Sequence, residues 1–410
     1  MVSAVLEDLK ERWSMDRIQE DQAGAHRLAG GEYPWANITF LISGEADSEC
    51  ARVSKLTGAA VLTNDSDFLI HDLGSHGAVV LLNSVQLQES QQADEAEIRG
   101  LRLHPRHISR RLGIKNIQRF GFELKRNSHL SLPELLRQSM EHLGTTECSA
   151  DYNGFLQEYQ HREESSLTLA HRPYIQLLDP RVSELFWQYE RPEVYCGTEP
   201  PHLYLGILHE DHARRCAWEQ GRSYRALGYA LLNLSRPVTA RFPVVHEFVR
   251  RGGRIIAEKV TLGGAKRVAA DLVALKMRLD LARTIFDDDH RLSFWVFFAL
   301  SEIYRDATNA TTRPSAVHLE RFLQSGSMGQ KTDWADIHLV AQIHAVLYSL
   351  RILKQLLGIA RNKDLLDQNH AILASLPPLR RLIGSQYEMI RSFTDGNLAH
   401  SIHQFFKTYG

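Results

Sequence analysis

Apolar positions along the 410-residue chain change their period several times, and each change marks an element. Met1 to Trp13 carries Val2, Val5, Leu6 and Leu9 at helical spacing, which predicts a helix whose apolar flank packs on something. A charged, Gly-containing loop ends near "GGEYPW", and "ITFLIS" (Ile38–Ser43) then reads as a short buried strand. From Glu45 the pattern turns helical, with Ala46, Cys50, Val53 and Leu56 able to share a face. "TGA" stops that helix, and "AVLTN" gives the next buried strand. Gly74 and Gly77 mark a turn before a third strand, "AVVLLN" (Ala78–Asn83). Strand, helix and strand at this pitch form a βαβ unit, so the expected class is α/β with a parallel sheet.

After Gln86 the pattern breaks. "ESQQADEAE" is a polar, acidic loop. It is followed by Arg99, Arg102, Arg106, Arg110, Arg111, Lys115, Arg119, Lys125 and Arg126, with Glu123 the one acid inside that stretch. "SLPELLRQSMEHL" (Ser131–Leu143) predicts a capped helix, with Ser131 as N-cap and Glu134 three positions on. From Tyr204 onward helical patterns dominate, "GGAKRVAADLVALKMRLDLARTIF" and "AQIHAVLYSLRILKQLLGIAR" most clearly. The expected organisation is an α/β region over 1–145, linker and helices over 146–203, and a large mainly α-helical region over 204–410.

Composition changes this picture little. The hydrophobic fraction is 43% and the charged fraction 24%, ordinary for a globular chain. The net charge of -1 gives no global attraction to nucleic acid, so any such contact must use a local patch. Cys50, Cys148, Cys196 and Cys216 have no metal-type spacing and read as reduced thiols in an intracellular protein. The run "FWVFFAL" (Phe294–Leu300) reads as core and is far short of the about 20 residues a membrane span needs. "HEDH" (His209–His212) is one residue short of a zinc HExxH and reads as surface, and "DDDH" (Asp287–His290) reads as a helix cap.

The chemistry concentrates in four acids. Glu45 falls just past one expected strand, and Asp65 and Asp67 fall at the end of the next, where α/β sheets place their ligands. Residues i and i+2 of a strand point the same way, so Asp65 and Asp67 can face one site. Asp47 can turn inward from the first helical turn. Four converging carboxylates repel one another unless cations sit between them. Oxygen donors select Mg²⁺ or Mn²⁺, and two ions about 4 Å apart suit in-line phosphodiester hydrolysis. A plain helix-start role is also open, since the dipole favours acids there.

"GEADSECA" followed by "NDSDFLI" resembles the internal region of the XPG/flap-endonuclease superfamily, PIN-like divalent-metal nucleases. "VLTNDSDF", "RRLGI" and "HLSLPELL" are similar to the Asteroid branch, particularly its fungal members. "HEDHARRCAWEQGRSYRALGYALL" and "VHEFVRRGGRI" are similar to helices of that branch. The resemblance implies an α/β PIN-like parallel sheet, incomplete here, followed by the helical region. It implies that Glu45, Asp47, Asp65 and Asp67 are catalytic metal ligands for Mg²⁺ or Mn²⁺. It also implies that Arg106, Arg110, Arg111 and Lys115 grip nucleic-acid phosphates, of DNA by analogy with the superfamily, in a nuclear protein.

The sequence departs from the superfamily in two places. The family's first aspartate-ending strand and its "FDG"-type aspartate lie upstream of this chain's start, so the expectation is a chain truncated at its N-terminus. Where a "GNDY"-like aspartate is expected, "FELKRNSHL" supplies Lys125, Arg126, Asn127 and Ser128. Three readings follow: a structure-specific, metal-dependent endonuclease or a fragment of one, a catalytically inactive scaffold binding nucleic acid or protein, and an unstable fragment with no function. Protein partners are expected for the helical C-terminal region, and no membrane.

Overall fold

The computed structural model describes residues 2–12, 35–42, 46–89, 96–141, 146–159, 177–286, 292–306, 315, 318–319, 322–323, 333–360 and 372–382. They fall into two units. One takes the described residues of Met1–Asp21, Arg27–Thr39 and Pro173–Gly410, and the other takes those of Phe40–Arg172. Helix α1 (Val2–Glu7), continued by a π-helical turn at Asp8–Arg12, belongs to the first unit.

The second unit carries the acid motifs. Its first helix, α2 (Ala46–Thr57), ends at Gly58, whose φ of +73° lets its N–H reach back to the Ser54 carbonyl at 2.8 Å. The buried face of α2 runs through Ala51 and Ser54, while Ala46, Cys50, Val53 and Leu56 lie exposed, contrary to the apolar periodicity. Close approach explains this choice. A Cβ on Gly77 would come within 2.5 Å of Ser54 Oγ, so the small residues, not the large ones, face inward.

Strand β1 (Ala60–Thr63) pairs in parallel with β2 (Ala78–Leu81), from Ala60↔Ala78 to Thr63↔Leu81. Strands β3 (Gln86–Glu89) and β4 (Ala96–Arg99) form a separate antiparallel ribbon. Strand β5 (Arg102–Leu103) returns antiparallel along β2, giving the order β1–β2–β5. The sheet is therefore mixed, which corrects the expected wholly parallel one. The expected strand at Ile38–Ser43 is also corrected: Ala36–Ile38 is a 3-10 turn, and Ile38 and Phe40 are exposed where a buried strand would hide them. A 3-10 turn at Ser66–Leu69, not an α-helix, starts the crossover from β1 to β2. Ala51, Phe68, Leu73 and Val79 form the core beneath it.

Among the described residues, four more helices belong to this unit: α3 (Pro105–Leu112), α4 (Ile117–Arg126), α5 (Leu132–Met140) and α6 (Thr146–Glu158). Helix α5 has the capping box its sequence predicts. The Ser131 backbone N–H and hydroxyl donate to Glu134 at 3.0 and 2.6 Å.

The first unit continues with α7 (Pro180–Glu190), β6 (His202–Tyr204), α8 (Arg222–Leu234), β7 (Val244–Arg251) and β8 (Arg254–Thr261). Helices α9 (Ala265–Arg283), α10 (Leu292–Asp306) and α11 (Trp334–Ile359) follow. Helix α11 is apolar nearly all round and lies in the core, as do Phe294–Leu300 of α10. Gly228 lets α8 pack close to α11, since a Cβ there would meet Leu356 Cδ1 at 2.7 Å. Glu7 of α1 pairs with Arg351 of α11, which docks the N-terminal helix through an ion pair, while Val5 of its expected apolar flank is exposed. Among the described residues no helix is long and apolar enough to cross a membrane.

"VHEFVRRGGRI" is not helical. It forms β7, the turn and the start of β8, with Gly252 at φ +59° and Arg251 facing Arg254 across a two-residue turn. Val245, Glu247 and Val249 alternate inward on β7, which places a carboxylate in the core. Arg225 of α8 answers it with two bonds, Nε at 2.7 Å and Nη2 at 2.9 Å. Tyr229 donates its hydroxyl to the same carboxylate at 2.8 Å. Burial pushes the Glu247 pKa up, but Arg225 and Tyr229 outweigh it and hold the carboxyl below its ordinary range. Replacing Glu247 with Ala strands a buried guanidinium and should cost about 3–5 kcal/mol, read by urea unfolding. Because the folded pKa is lowered, the stability Glu247 contributes is complete above the unfolded value of about 4.3. It should be lost as pH falls through the lower folded value, which unfolding midpoints across that range would register.

Candidate functional site

Asp47, Asp65 and Asp67 come from three adjoining pieces of the second unit. Asp47 lies in the first turn of α2, half-buried, one turn ahead of the inward-facing Ala51. Asp65 follows β1 and caps the 3-10 turn: its Oδ1 accepts the Asp67 N–H at 2.9 Å. The two acids are thus held together by a cap. This corrects the strand alternation expected of them, because β1 ends at Thr63. Asn64 and Asn83 bind each other across the carboxyl ends of β1 and β2, Nδ2 to Oδ1 at 3.0 Å and backbone N–H to Oδ1 at 2.8 Å. That clasp fixes the strand ends from which Asp65 and Asp67 project, both exposed. Glu45 lies outside the described residues.

One residue reports that these acids share a neighbourhood. His71 is buried, its ring 5.5 Å from Phe68 and 5.1 Å from Tyr159. Burial lowers the pKa of its imidazole, and the charges of Asp47, Asp67 and Asp65 each oppose that shift. Tyr159 is raised first by burial and next by Asp67. Neither His71 nor Tyr159 was marked by the sequence, since a lone histidine after an acidic motif has no period or spacing to single it out. Lys125, in the place where an acid is expected, reaches Glu158 at 2.6 Å, and that bond chiefly raises its pKa, with a smaller contribution from Asp67.

Carboxylate oxygens are the donors a hard divalent cation takes, and Asp65 and Asp67 are exposed while Asp47 is half-buried. They do not form a closed cage: among the described residues, no three of these acids bring ligand atoms within 4.8 Å of one another. Asp47, Asp65 and Asp67 are the residues that would hold such an ion.

The cationic stretch divides in two. Arg106, Arg110 and Arg111 lie exposed on α3, and Lys115 is exposed just after it. None of the four makes an ion pair with a described carboxylate. Arg106 stands near Asp72, whose pKa is lowered first by Lys55 and to a lesser degree by Arg106. By contrast Arg99 pairs with Glu97 at 3.0 Å, Arg119 with Glu123, and Lys125 with Glu158. Two of those partners fall outside the stretch, so its positive charge is smaller than its letters suggest. In the first unit Glu210 of "HEDH" is buried structure, accepting from Arg250 Nε at 2.8 Å and the Ala217 N–H at 2.6 Å. "DDDH" lies outside the described residues. Cys50, Cys196 and Cys216 are free thiols.

The cap gives Asp65 a duty separate from any ligand role. Asp65→Ala should lower stability by about 1 kcal/mol through loss of the cap, while Asp65→Asn keeps the acceptor and should leave the unfolding midpoint near the original.

The family model described as "XPG domain containing" matches residues 1–262. Asteroid homolog 1 of Schizosaccharomyces pombe is 23% identical over 327 residues, covering 75% of this chain and 57% of that relative. The chain thus spans little more than half the length of the curated relative it matches. No solved structure matches it. A family match over 262 of 410 residues means that the chain belongs to the XPG-domain-containing family, in its Asteroid branch.

Proposed function

We propose that this chain carries the acidic half of a divalent-metal phosphodiesterase site and acts as a structure-specific endonuclease on DNA. One observation carries the reading: the cap from Asp65 to the Asp67 N–H holds both motif acids in one turn at the carboxyl end of β1, inside the residues matched by the family model. Bound Mg²⁺ or Mn²⁺ would polarise a scissile phosphate and its attacking water. The chain's own contribution is to hold the oxygens. The Asp65 cap fixes the turn, the Asn64–Asn83 clasp fixes the strand ends, and His71 backs the acids from the protein interior. Arg106, Arg110, Arg111 and Lys115 supply exposed cations free to meet phosphates.

A second reading rests on Lys125. A lysine where an acid is expected, its ammonium held by Glu158 at 2.6 Å, leaves one expected ligand out and favours a scaffold that binds nucleic acid without cutting it. A nuclear location and further protein partners belong to the same family-based reading.

Two measurements separate these. With Mg²⁺ and a flap or fork duplex, Asp65→Asn with Asp67→Asn should reduce cleavage by more than about 100-fold, beyond what outer-shell changes cost. Mn²⁺ binding followed by electron paramagnetic resonance should fall with it. Retained cleavage sinks the metal assignment, and tight DNA binding with no Mg²⁺-dependent turnover by the unaltered chain selects the scaffold. In the same DNA-binding assay, Arg110→Ala with Arg111→Ala should flatten the log–log salt dependence by about two, one for each phosphate contact removed.

A further inference from the structure

The outer face of the β6–β7–β8 sheet lies in the first unit, and nothing in the acid motifs uses it. Its register fixes which residues share that face. His202, His246 and Lys259 form one row across the three strands, and Tyr204, Phe248 and Ala257 form the next. Leu203, Val245, Glu247 and Val249 alternate with them and are buried, so the two rows face outward. Tyr204 is half exposed, Ala257 and Lys259 are exposed, and His202, His246 and Phe248 are partly so.

The solvated face of such a sheet is ordinarily polar, but here it carries ordered rings. Tyr204 stacks on Phe248 with centroids 4.2 Å apart and planes 9° from parallel, and His202 meets both edge-on at 5.5 and 5.8 Å. Phe248 covers one face of the Tyr204 ring, so the part left to solvent is its other face and rim. Charge is segregated across the same sheet. No outward position of the three strands is an acid, because Glu247 and Glu258 face inward and are held by Arg225 and Arg222. At the far end Glu210 is buried against Arg250. Lys259 is exposed and makes no ion pair. The backbone narrows the kind of partner. The His202 N–H donates to Gln188 Oε1 at 2.7 Å, and its carbonyl accepts from Gln188 Nε2 at 3.0 Å. That amide seals the edge of β6 beside the rings, so a peptide strand cannot add there. A free ring face, a lysine and no acid match a polymer of flat bases and phosphates, whose unpaired bases stack on such sheet aromatics.

We propose that this face binds single-stranded nucleic acid, with an unpaired base stacked on Tyr204 and a phosphate of the same strand at Lys259. A duplex hides its base faces and cannot use the ring. The face belongs to a different unit from the acids and stands whether or not those bind metal.

The test is fluorescence anisotropy of the whole chain in EDTA, with single-stranded DNA and RNA oligonucleotides carrying a fluorescent base analogue, and with the DNA duplex. EDTA keeps divalent metal, and with it cleavage, out of the measurement. A single strand should bind and its analogue should be quenched as the base stacks. Tyr204→Leu keeps an apolar side chain at an exposed position, so the unfolding midpoint should hold while single-strand binding falls about tenfold and the quench is lost. Duplex binding by that variant should not change. Lys259→Ala should flatten the log–log salt dependence for the single strand by about 0.7, the value of one phosphate contact. The proposal is overturned if neither single strand binds, or if Tyr204→Leu weakens single strand and duplex alike. Single-strand binding undiminished by Tyr204→Leu also overturns it, and leaves a protein as the occupant of this face. Asp65→Asn with Asp67→Asn should leave this binding intact, so the stacking face and the metal site fail separately.

Discussion

A guanidinium shut away from water must find a protein acceptor for nearly every donor, and Arg225 organises its unit by doing so. Its side chain is 1% exposed. It reaches Glu247 on β7 with two bonds, Ser349 of α11 at 2.7 Å, and the Trp218 carbonyl at 2.8 Å. One charge therefore ties a helix, a strand, the central helix and a loop. An inward acid on β7 would otherwise be the costliest position in that core. With it in place the sheet can bury its face against α8 and α11, and Gly228 can bring those helices close. Burial neutralises neither partner: it pushes the Glu247 pKa up and the Arg225 pKa down, and their pairing outweighs it in both.

The second unit solves its acid problem the other way, by leaving the charges near water. Glu49 is buried and is met at once by Arg52, with Nε at 2.9 Å. Asp65 and Asp67 remain outside and are positioned by backbone geometry instead. The Asp65 cap consumes one carboxylate oxygen, and the rest of that carboxylate faces outward. A turn built in this way holds two acids together without a cation, so the local structure does not depend on a ligand to form.

How much of this could be read from the sequence depended on whether local pattern or tertiary contact decided the outcome. The Ser131–Glu134 box, the parallel pairing of "AVLT" with "AVVL", and the long apolar helices were legible because their signals are local. The inward face of α2 was not. Ala51 and Ser54 were chosen by close approach to Gly77, which periodicity cannot weigh. "VHEFVRRGGRI" was legible in principle. Its Val245, Glu247, Val249 alternation and Gly252–Gly253 turn are hairpin signals, but resemblance to helices of other chains took precedence. At the site, the motifs gave the acids and missed His71 and Tyr159, whose roles come only from packing.

The charges around the acids can now be summed by sign. Asp47, Asp65 and Asp67 contribute three negative charges. His71 gives no positive charge at neutral pH, because burial lowers its pKa from an ordinary value already below 7. Lys125 is the cation felt by Asp67, yet its ammonium lies 2.6 Å from Glu158 and is largely answered there. A lysine engaged in that way cannot stand in for a metal ion. Among the described residues, no ion pair is seen at Asp47, Asp65 or Asp67. Mutual repulsion is eased by solvent at Asp65 and Asp67, but less so at half-buried Asp47. On the proposed reading a divalent cation bound there would offset these charges, and an oxygen-only donor set would favour Mg²⁺ or Mn²⁺ over a softer metal.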